Sequence, residues 1–350
     1  MNHTRTTPPR PVDVTAVFPE LAPLARTATR LHPRPGAPSP RDSSIGGPLL
    51  WPADEPWPRC DAPHDGGSDW LDAVRVNRRA LTRAARNPDD PRAGEHTTRE
   101  RAILEGIDWD VEVTDAPVPL LPLAQLYVRD VPALRLPRRA GVDLLQVLWC
   151  PFEHPEVTYM PKAALFWRSA AEVTEVLASP PEPPAVECAE YVPEPCLLAP
   201  EEVTEYPDSL ELDVDLRLRL GDWNRWRDAG PGLDASYAPY PEAFYGSVLS
   251  VAPGWKVGGW APWGYTDPDP RFCAACATRM EPLLTIDSFE WDGGNRTWIP
   301  YEDRAAAEIP TTGGFPEAHR PTAVQIGGGY KQQLYVCPAD PEHPHAALMQ

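Results

Sequence analysis

One glycine-rich stretch occurs twice in the chain and decides the fold. The first copy reads Ile45-Gly46-Gly47-Pro48-Leu49-Leu50-Trp51, and the second reads Val257-Gly258-Gly259-Trp260-Ala261-Pro262-Trp263. Three further blocks follow each copy in the same order: Cys60, Pro119-Leu120-Leu121 and residues 146–151 in the first, and Cys273, Pro282-Leu283-Leu284 and residues 333–338 in the second. Because blocks that recur in one order are typical of an internal repeat, we predict that an ancestral unit was duplicated.

The spacing of these blocks divides the chain into four parts. We predict a helical and proline-rich lead-in at 1–44, a first repeat at 45–178, a proline-rich linker at 179–196 and a second repeat at 197–350. A polar insert at 65–115 enlarges the first repeat, and a similar excursion at 292–320 enlarges the second. Both are expected to lie on the surface of a shared scaffold.

The pattern of apolar residues predicts the fold class. Short apolar segments bounded by Pro, Gly or Asp are typical of strands, and they occur at 120–128, 144–149, 163–167, 210–218, 283–291 and 332–336. Capping boxes predict helices after Thr97 and Ser169, and residues 14–31 favour a helix interrupted at Pro19 and Pro23. The sequence therefore predicts a strand-dominated α+β fold, with two tandem pseudo-symmetric β-rich repeats and a few peripheral helices.

Composition and charge exclude several classes of protein. The 350 residues include 47 prolines, which would interrupt any long helical bundle or coiled coil. The net charge of -19 repels phosphate, so we expect no direct nucleic-acid binding. No stretch approaches the roughly 18 apolar residues of a membrane span, and the N-terminus has no apolar export segment. We therefore expect a cytoplasmic protein without membrane contact.

The blocks in this order resemble the YwqG-like family, a bacterial domain of unknown function, and in particular its long actinobacterial branch. The resemblance runs from about Leu31 to Gln350 and departs from the family pattern at the 65–115 insert and at Tyr265. It implies a duplicated β-rich domain, distantly similar to that of chaperones of the programmed-cell-death-protein-two type. It also implies a role in binding another protein, either as a chaperone or as an immunity partner of a toxin.

Charge and motifs agree with a binding role. We expect a cytosolic protein-binding module, chaperone-like or immunity-like, because an acidic surface attracts a basic protein partner. No catalysis is expected, since the chain contains no Gly-x-Ser-x-Gly elbow, no His-Glu-x-x-His pair and no phosphate-binding loop.

Cysteines and histidines occur in short pairs, two in each copy. Thiolate and imidazole are the ligands that Zn²⁺ prefers, and four of them close a tetrahedral structural site. We expect no cofactor other than structural zinc, for which each copy offers one candidate site: Cys60, His64, Cys150 and His154 in the first, and Cys273, Cys276, Cys337 and either His343 or His345 in the second. The alternative is that the cysteines pack as small buried hydrophobes and the histidines lie in surface loops.

Aromatic residues and glycines cluster around the second glycine-rich stretch. Glycine allows close backbone approach and tryptophan supplies large contact area, so this segment predicts a groove for a ligand or partner. Its candidate residues are Trp255, Gly258, Gly259, Trp260, Trp263 and Tyr265. Core packing of these aromatics is the alternative. A small-molecule binder or enzyme that uses residues 254–265 is therefore an alternative function, and a purely structural zinc-binding protein is another.

Overall fold

Two six-stranded antiparallel sheets form the centre of the protein. The structure, a computed structural model, describes residues 4–64, 69–87, 89–109, 117–134, 141–230, 233–308 and 317–350, so parts of the predicted excursions 65–115 and 292–320 lie outside the described residues. The α+β fold class is confirmed. Helices of all types cover 27% of the chain and strands 24%. The strands are therefore not the more abundant element, although they form the core.

The elements follow one another along the chain in short pieces. The strands are β1 (Arg26–Arg30), β2 (Arg34–Pro35), β3 (Ser44–Ile45), β4 (Arg59–Cys60), β5 (Asp69–Trp70), β6 (Val118–Pro119), β7 (Leu121–Tyr127), β8 (Leu144–His154), β9 (Met160–Arg168), β10 (Ala185–Val186), β11 (Cys196–Leu197), β12 (Glu201–Glu205), β13 (Lys256–Gly258), β14 (Glu281–Asp287), β15 (Lys331–Val336) and β16 (Ala346–Met349). The α-helices are α1 (Val14–Val17), α2 (Leu71–Arg86), α3 (Thr98–Glu105), α4 (Val214–Leu220), α5 (Trp223–Ala229), α6 (Pro241–Phe244) and α7 (Arg304–Ala307). Within the described ranges, none of the helices is both long and apolar enough to cross a membrane.

The two sheets have matching strand orders. The first sheet runs β2-β11-β3-β7-β8-β9, and the second runs β12-β1-β13-β14-β15-β16. Each has a register shift in its central hairpin, after Pro122 in β7 and after Pro282 in β14. The position of this register shift makes Pro122 the counterpart of Pro282. The Pro-Leu-Leu blocks of the sequence had instead matched Pro119 to Pro282. A duplication would produce this matching order, although the duplication itself stays a prediction.

Two segments connect the sheets by crossing between them side by side. Residues 26–35 supply β1 to the second sheet and β2 to the first, and residues 196–205 supply β11 to the first and β12 to the second. The segments pair antiparallel at both ends, β1 with β12 and β2 with β11. At the crossing, the backbone N–H of Ala199 donates to the carbonyl of Leu31 at 3.0 Å, and the buried His32 has a left-handed φ of 44°. Each sheet therefore contains strands from both halves of the chain.

The main hydrophobic core lies between the sheets. It contains Leu145, Val147 and Trp149 of β8 together with Leu334 and Val336 of β15. Because side chains alternate along a strand, the intervening residues of β8 and β15 point to the opposite faces and build two smaller outer clusters. The sheets are thus covered on both faces.

The predicted strand at 210–218 is wrong. Apolar residues at every second position fit a strand, but Leu212, Leu216 and Leu220 also recur at the spacing of a helix, and these three pack into one cluster. The side chain of Asp213 accepts a hydrogen bond from the N–H of Leu216 and caps α4. The N-terminal cap and the burial of one helical face therefore favour a helix here, although the alternation of apolar and polar residues fits a strand.

Two of the predicted helices also differ from the structure. The segment 14–31 is helical only in α1 and in a 3₁₀ turn at Pro19–Leu24, and then becomes β1. Ser169 makes no capping hydrogen bond, and only a 3₁₀ turn follows it. By contrast, the capping box at Thr97 is confirmed, since both of its reciprocal hydrogen bonds form at the start of α3.

A buried ion pair joins the edge strand β12 of the second sheet to the inner strand β13. The Nζ of Lys256 lies 2.6 Å from Oε1 of Glu205, and both side chains are fully buried. The same carboxylate accepts the N–H groups of Ala252 and Trp260, at 2.9 and 2.8 Å. We expect Lys256→Met to lower the free energy of unfolding by about 3 to 5 kcal/mol, because it leaves a buried carboxylate without its counter-charge. Urea denaturation measures this loss.

The matched control is the exposed pair of Lys162 and Glu156, whose charged atoms are 3.1 Å apart. Lys162→Met should cost less than about 1 kcal/mol, since water screens this pair. Equal losses in the two variants would contradict the role assigned to Lys256.

Two candidate metal centres

The first candidate centre joins the short strand β4 to the long strand β8. Cys60 ends β4, which pairs with β6, and His64 lies in the loop that follows. Cys150 and His154 both belong to β8. Cys150 packs in an outer cluster with Leu148 and Phe152, so the alternation of β8 directs its thiol away from the main core. The four predicted side chains of this copy therefore meet at one place.

The ligand atoms of this centre are close together. Each of the four residues offers one atom that lies within 4.8 Å of the other three. The Sγ of Cys150 is 3.2 Å from Nε2 of His64, and the Sγ of Cys60 is 3.8 Å from Nε2 of His154. The hydrogen bond with the Cys150 thiol lowers the pKa of Cys60 to about 3, which favours its thiolate, the form that binds metal.

The second candidate centre is built on a tight turn ahead of β14. The N–H of Ala277 donates to the carbonyl of Cys273 at 2.8 Å, and the N–H of Cys273 donates to the carbonyl of Thr278 at 2.9 Å. Ala277 takes a left-handed φ of 56°, which turns the chain so that Cys273 and Cys276 lie on the same side. Cys337 follows the end of β15 and completes the set of thiols.

The fourth residue of this centre is His343. Its Nδ1 is 3.5 Å from Sγ of Cys273, while Cys276 and Cys337 have their sulfurs 3.4 Å apart. The other predicted candidate, His345, instead lies 3.1 Å from the carbonyl oxygen of Ala163. All four ligand atoms again lie within 4.8 Å of one another. The structure therefore decides between the two histidines that the sequence left open.

Two of the six ligand-to-ligand distances in each set match those of a tetrahedral site. Zinc bonds of about 2.3 Å to sulfur and about 2.0 Å to nitrogen give a tetrahedron with edges of roughly 3.3 to 3.8 Å. The four ligand-to-ligand distances quoted above run from 3.2 to 3.8 Å. The residues of each group are thus close enough to hold a metal ion. Two other cysteines, Cys188 and Cys196, belong to neither group.

The two centres differ in their exposure to solvent. In the first, Cys150 and His154 are buried, while Cys60 and His64 are half-buried. In the second, Cys276 is exposed, and a hydrogen bond with the Thr278 hydroxyl lowers its pKa to about 6. Solvent therefore reaches a ligand of the second centre directly.

The predicted aromatic groove divides into separate environments. Trp255 is buried in the main core, and Tyr265 packs against Tyr330 with ring centroids 4.7 Å apart. Gly258 and Gly259 line one cavity of about 240 Å³, whereas Trp260 and Trp263 line another of about 120 Å³. The two cavities share Arg26, Glu281 and Pro282 in their walls.

The polar residues of the smaller cavity that sequence reasoning missed include Glu211, Arg271 and Tyr335. A signal was present for two of them. Arg271 and Tyr335 each lie two positions before a predicted metal ligand, Cys273 and Cys337. In an extended chain, residues two positions apart point to the same side. Glu211 gave no such signal, because it lay within the segment predicted as a strand.

No protein-family model matches the chain, and no curated protein is similar to it in sequence.

The exposure of Cys276 predicts a difference in metal release. When the metal-loaded protein is treated with a chromogenic chelator, we expect two kinetic phases, with the second centre releasing its ion first because solvent reaches Cys276. Cys276→Ser should remove the fast phase and keep the slow one. As a control, Cys188→Ser should leave both phases intact. Loss of the fast phase in Cys60→Ser, with its retention in Cys276→Ser, would contradict this assignment.

Proposed function

We propose that the protein binds two zinc ions in structural centres, one for each sheet. The observation that carries the proposal is the convergence of two complete sets of four Cys and His side chains, Cys60 with His64, Cys150 and His154, and Cys273 with Cys276, Cys337 and His343. Sets made only of thiolate and imidazole select Zn²⁺ over Mg²⁺ or Ca²⁺, which prefer oxygen ligands.

The proposed centres stabilise rather than catalyse. Four protein ligands fill a tetrahedral zinc site, so no position remains for a water molecule or a substrate. Each centre ties a segment that precedes the first strand of a central hairpin to the second strand of that hairpin, Cys60 to β8 in one sheet and Cys273 to the end of β15 in the other. Metal binding at such a site contributes directly to the free energy of folding.

Elemental analysis tests the zinc content. Purified wild-type protein should contain two zinc ions per chain, one for each set of ligands. Cys150→Ser and Cys337→Ser should each contain one, because each removes one thiolate from a different centre. Both variants should also melt at lower temperature, since they lose a metal that stabilises the fold.

The control for this count is Cys196→Ser, which removes a buried cysteine outside both groups. It should retain two zinc ions. A wild-type chain without zinc after expression in zinc-supplemented medium, or single variants that keep the full content, would exclude the proposal.

We also propose that this scaffold is a protein-binding module of the YwqG-like type that binds a basic partner. The net charge of -19 supports it, because a strongly acidic surface accelerates association with a cationic protein. A chaperone-like or immunity-like role would fit such a partner.

Affinity capture with a tagged chain tests this second proposal. Basic proteins should be recovered at low salt and lost as the salt concentration rises, since salt screens exposed charges. The double variant Cys150→Ser/Cys337→Ser is the control, because it keeps the net charge while losing one ligand from each centre. Absence of any basic protein after crosslinking at low salt, or equal capture by the double variant, would count against specific binding.

A further inference from the structure

An exposed thiol lies beside a buried one in the second candidate centre. Cys276 is exposed, whereas Cys337 is fully buried. Their Sγ atoms are 3.4 Å apart, which is close to van der Waals contact for two sulfur atoms. A disulfide has its sulfurs at about 2.0 Å, so its formation here requires a movement of roughly 1.4 Å. The two thiols are therefore placed to form a disulfide.

The turn that carries Cys276 has room for this movement. Residues 274–277 are all exposed. The outer cluster beneath the turn contains Cys273 and Cys337 but not Cys276. The thiol of Cys276 donates to the hydroxyl of Thr278 at 3.3 Å, which is a contact within the same turn. The side chain of Cys276 can therefore rotate toward Cys337 without breaking the apolar packing of the cluster.

A third thiol, that of Cys273, is the alternative partner for Cys276. Its Sγ lies 3.5 Å from Nδ1 of His343, and the residue is only 3% exposed. Both backbone polar groups of Cys273 are bonded within the turn, the N–H to the carbonyl of Thr278 and the carbonyl to the N–H of Ala277. Cys273 is thus held in place facing the histidine. These contacts favour Cys337 as the partner of Cys276.

The first candidate centre protects its thiols better. It also contains two, those of Cys60 and Cys150. Cys150 is fully buried, and the half-buried Cys60 packs against the outer cluster that includes Trp57 and Leu148. Oxidation of a thiol requires access of the oxidant to its sulfur. A small oxidant in solution therefore reaches Cys276 more readily than either thiol of the first centre.

We propose that the second centre is a thiol switch, in which hydrogen peroxide joins Cys276 to Cys337 by a disulfide and the zinc ion of that centre is released. The first centre keeps its thiols and its metal under the same conditions. The release of metal rests on the zinc centres proposed above, whereas the disulfide requires only the two thiols.

The oxidation proceeds in two steps. The thiolate of Cys276 attacks one oxygen of the peroxide, so that an S–O bond forms, the O–O bond breaks, and hydroxide leaves and takes up a proton to become water. Cys276 is then a sulfenic acid. The thiolate of Cys337 attacks its sulfur, which forms the S–S bond and expels a second hydroxide that is likewise protonated. The two sulfurs together lose two electrons, which reduce one hydrogen peroxide to two waters.

The disulfide replaces the metal as the link between the turn and β15. It keeps residues 273–278 joined to the end of β15 but leaves only Cys273 and His343 to ligate a metal. A structural zinc site needs four ligands, so the ion dissociates from the remaining two. His343 then loses its link to the turn. Its segment, residues 341–345, lines a cavity of about 310 Å³ beside β9, and this is the surface that the switch changes.

Peptide mapping of the full-length protein after treatment with hydrogen peroxide tests the proposal. Trypsin places Cys273 and Cys276 in one peptide, residues 272–279, and Cys337 in another, residues 332–350. Without reductant, these two peptides should be recovered as one cross-linked species. A zinc indicator should detect release of one of the two ions as the cross-link forms. A disulfide confined to residues 272–279, or no disulfide at all, would overturn the proposal.

Three variants test the assignment of the thiols. Cys276→Ser should abolish the cross-link, whereas Cys273→Ser should retain it. The matched control Cys188→Ser removes a half-buried thiol outside both centres and should cross-link as the wild type does. Because the first two variants also lose a metal ligand, chelator-treated wild-type protein is compared with them, and it should form the cross-link without zinc. A cross-link that persists in Cys276→Ser would contradict the switch.

The disulfide and the zinc content give separate readouts. A chain that holds two zinc ions but forms no cross-link would exclude the switch and leave the zinc centres intact. A chain without zinc that forms the cross-link would exclude the centres and support the thiol pair. Cys60 and Cys150 should stay reduced while the cross-link forms, and their oxidation at the same rate would refute the selectivity. Dithiothreitol with added zinc should restore the thiols and the metal.

Discussion

The antiparallel pairing of residues 26–35 with residues 196–205 is the constraint on which both sheets depend. Each segment changes sheet partway along, so β1 and β12 extend one sheet while β2 and β11 extend the other. At the crossing, the N–H of Leu31 donates to the carbonyl of Trp255, and the ring of His32 lies 3.1 Å from the Glu201 carboxylate. These contacts set the relative position of the two sheets, and the main core fills the space between them.

The candidate metal centres lie on the outer faces of the two sheets. β8 and β15 direct alternate side chains outward, where only small apolar clusters cover them. Both clusters have fewer buried residues than the main core, and a metal tie at each place would add its binding free energy to their packing. Cys150 and Cys337 each belong to one of these clusters, which joins the proposed coordination to the packing of the strand.

The sequence predicted which cysteines and histidines come together better than it predicted the short elements around them. Cys60, His64, Cys150 and His154 were predictable because pairs at close spacing recur in both copies, and strand periodicity directs them to one side. The helix α4 was not, because leucines at every second position satisfy strand and helix periods together. The short strands β2 and β11 have no pattern of their own, and partners far along the chain create them. The meeting of Glu211, Arg271 and Tyr335 at one cavity depends on tertiary packing, which local spacing does not report.

The exchange of strands has a consequence for synthesis on the ribosome. When residue 178 has emerged, the hairpins β7-β8-β9 can already form, but the neighbour that β3 requires, β11, is still to come. The N-terminal strand β1 stays incompletely paired for longer, because its inner partner β13 begins only at Lys256. The nascent first half therefore carries an open sheet edge and an unplaced N-terminal strand until much of the second half has been made, and its aggregation during that interval is governed by the rate of translation.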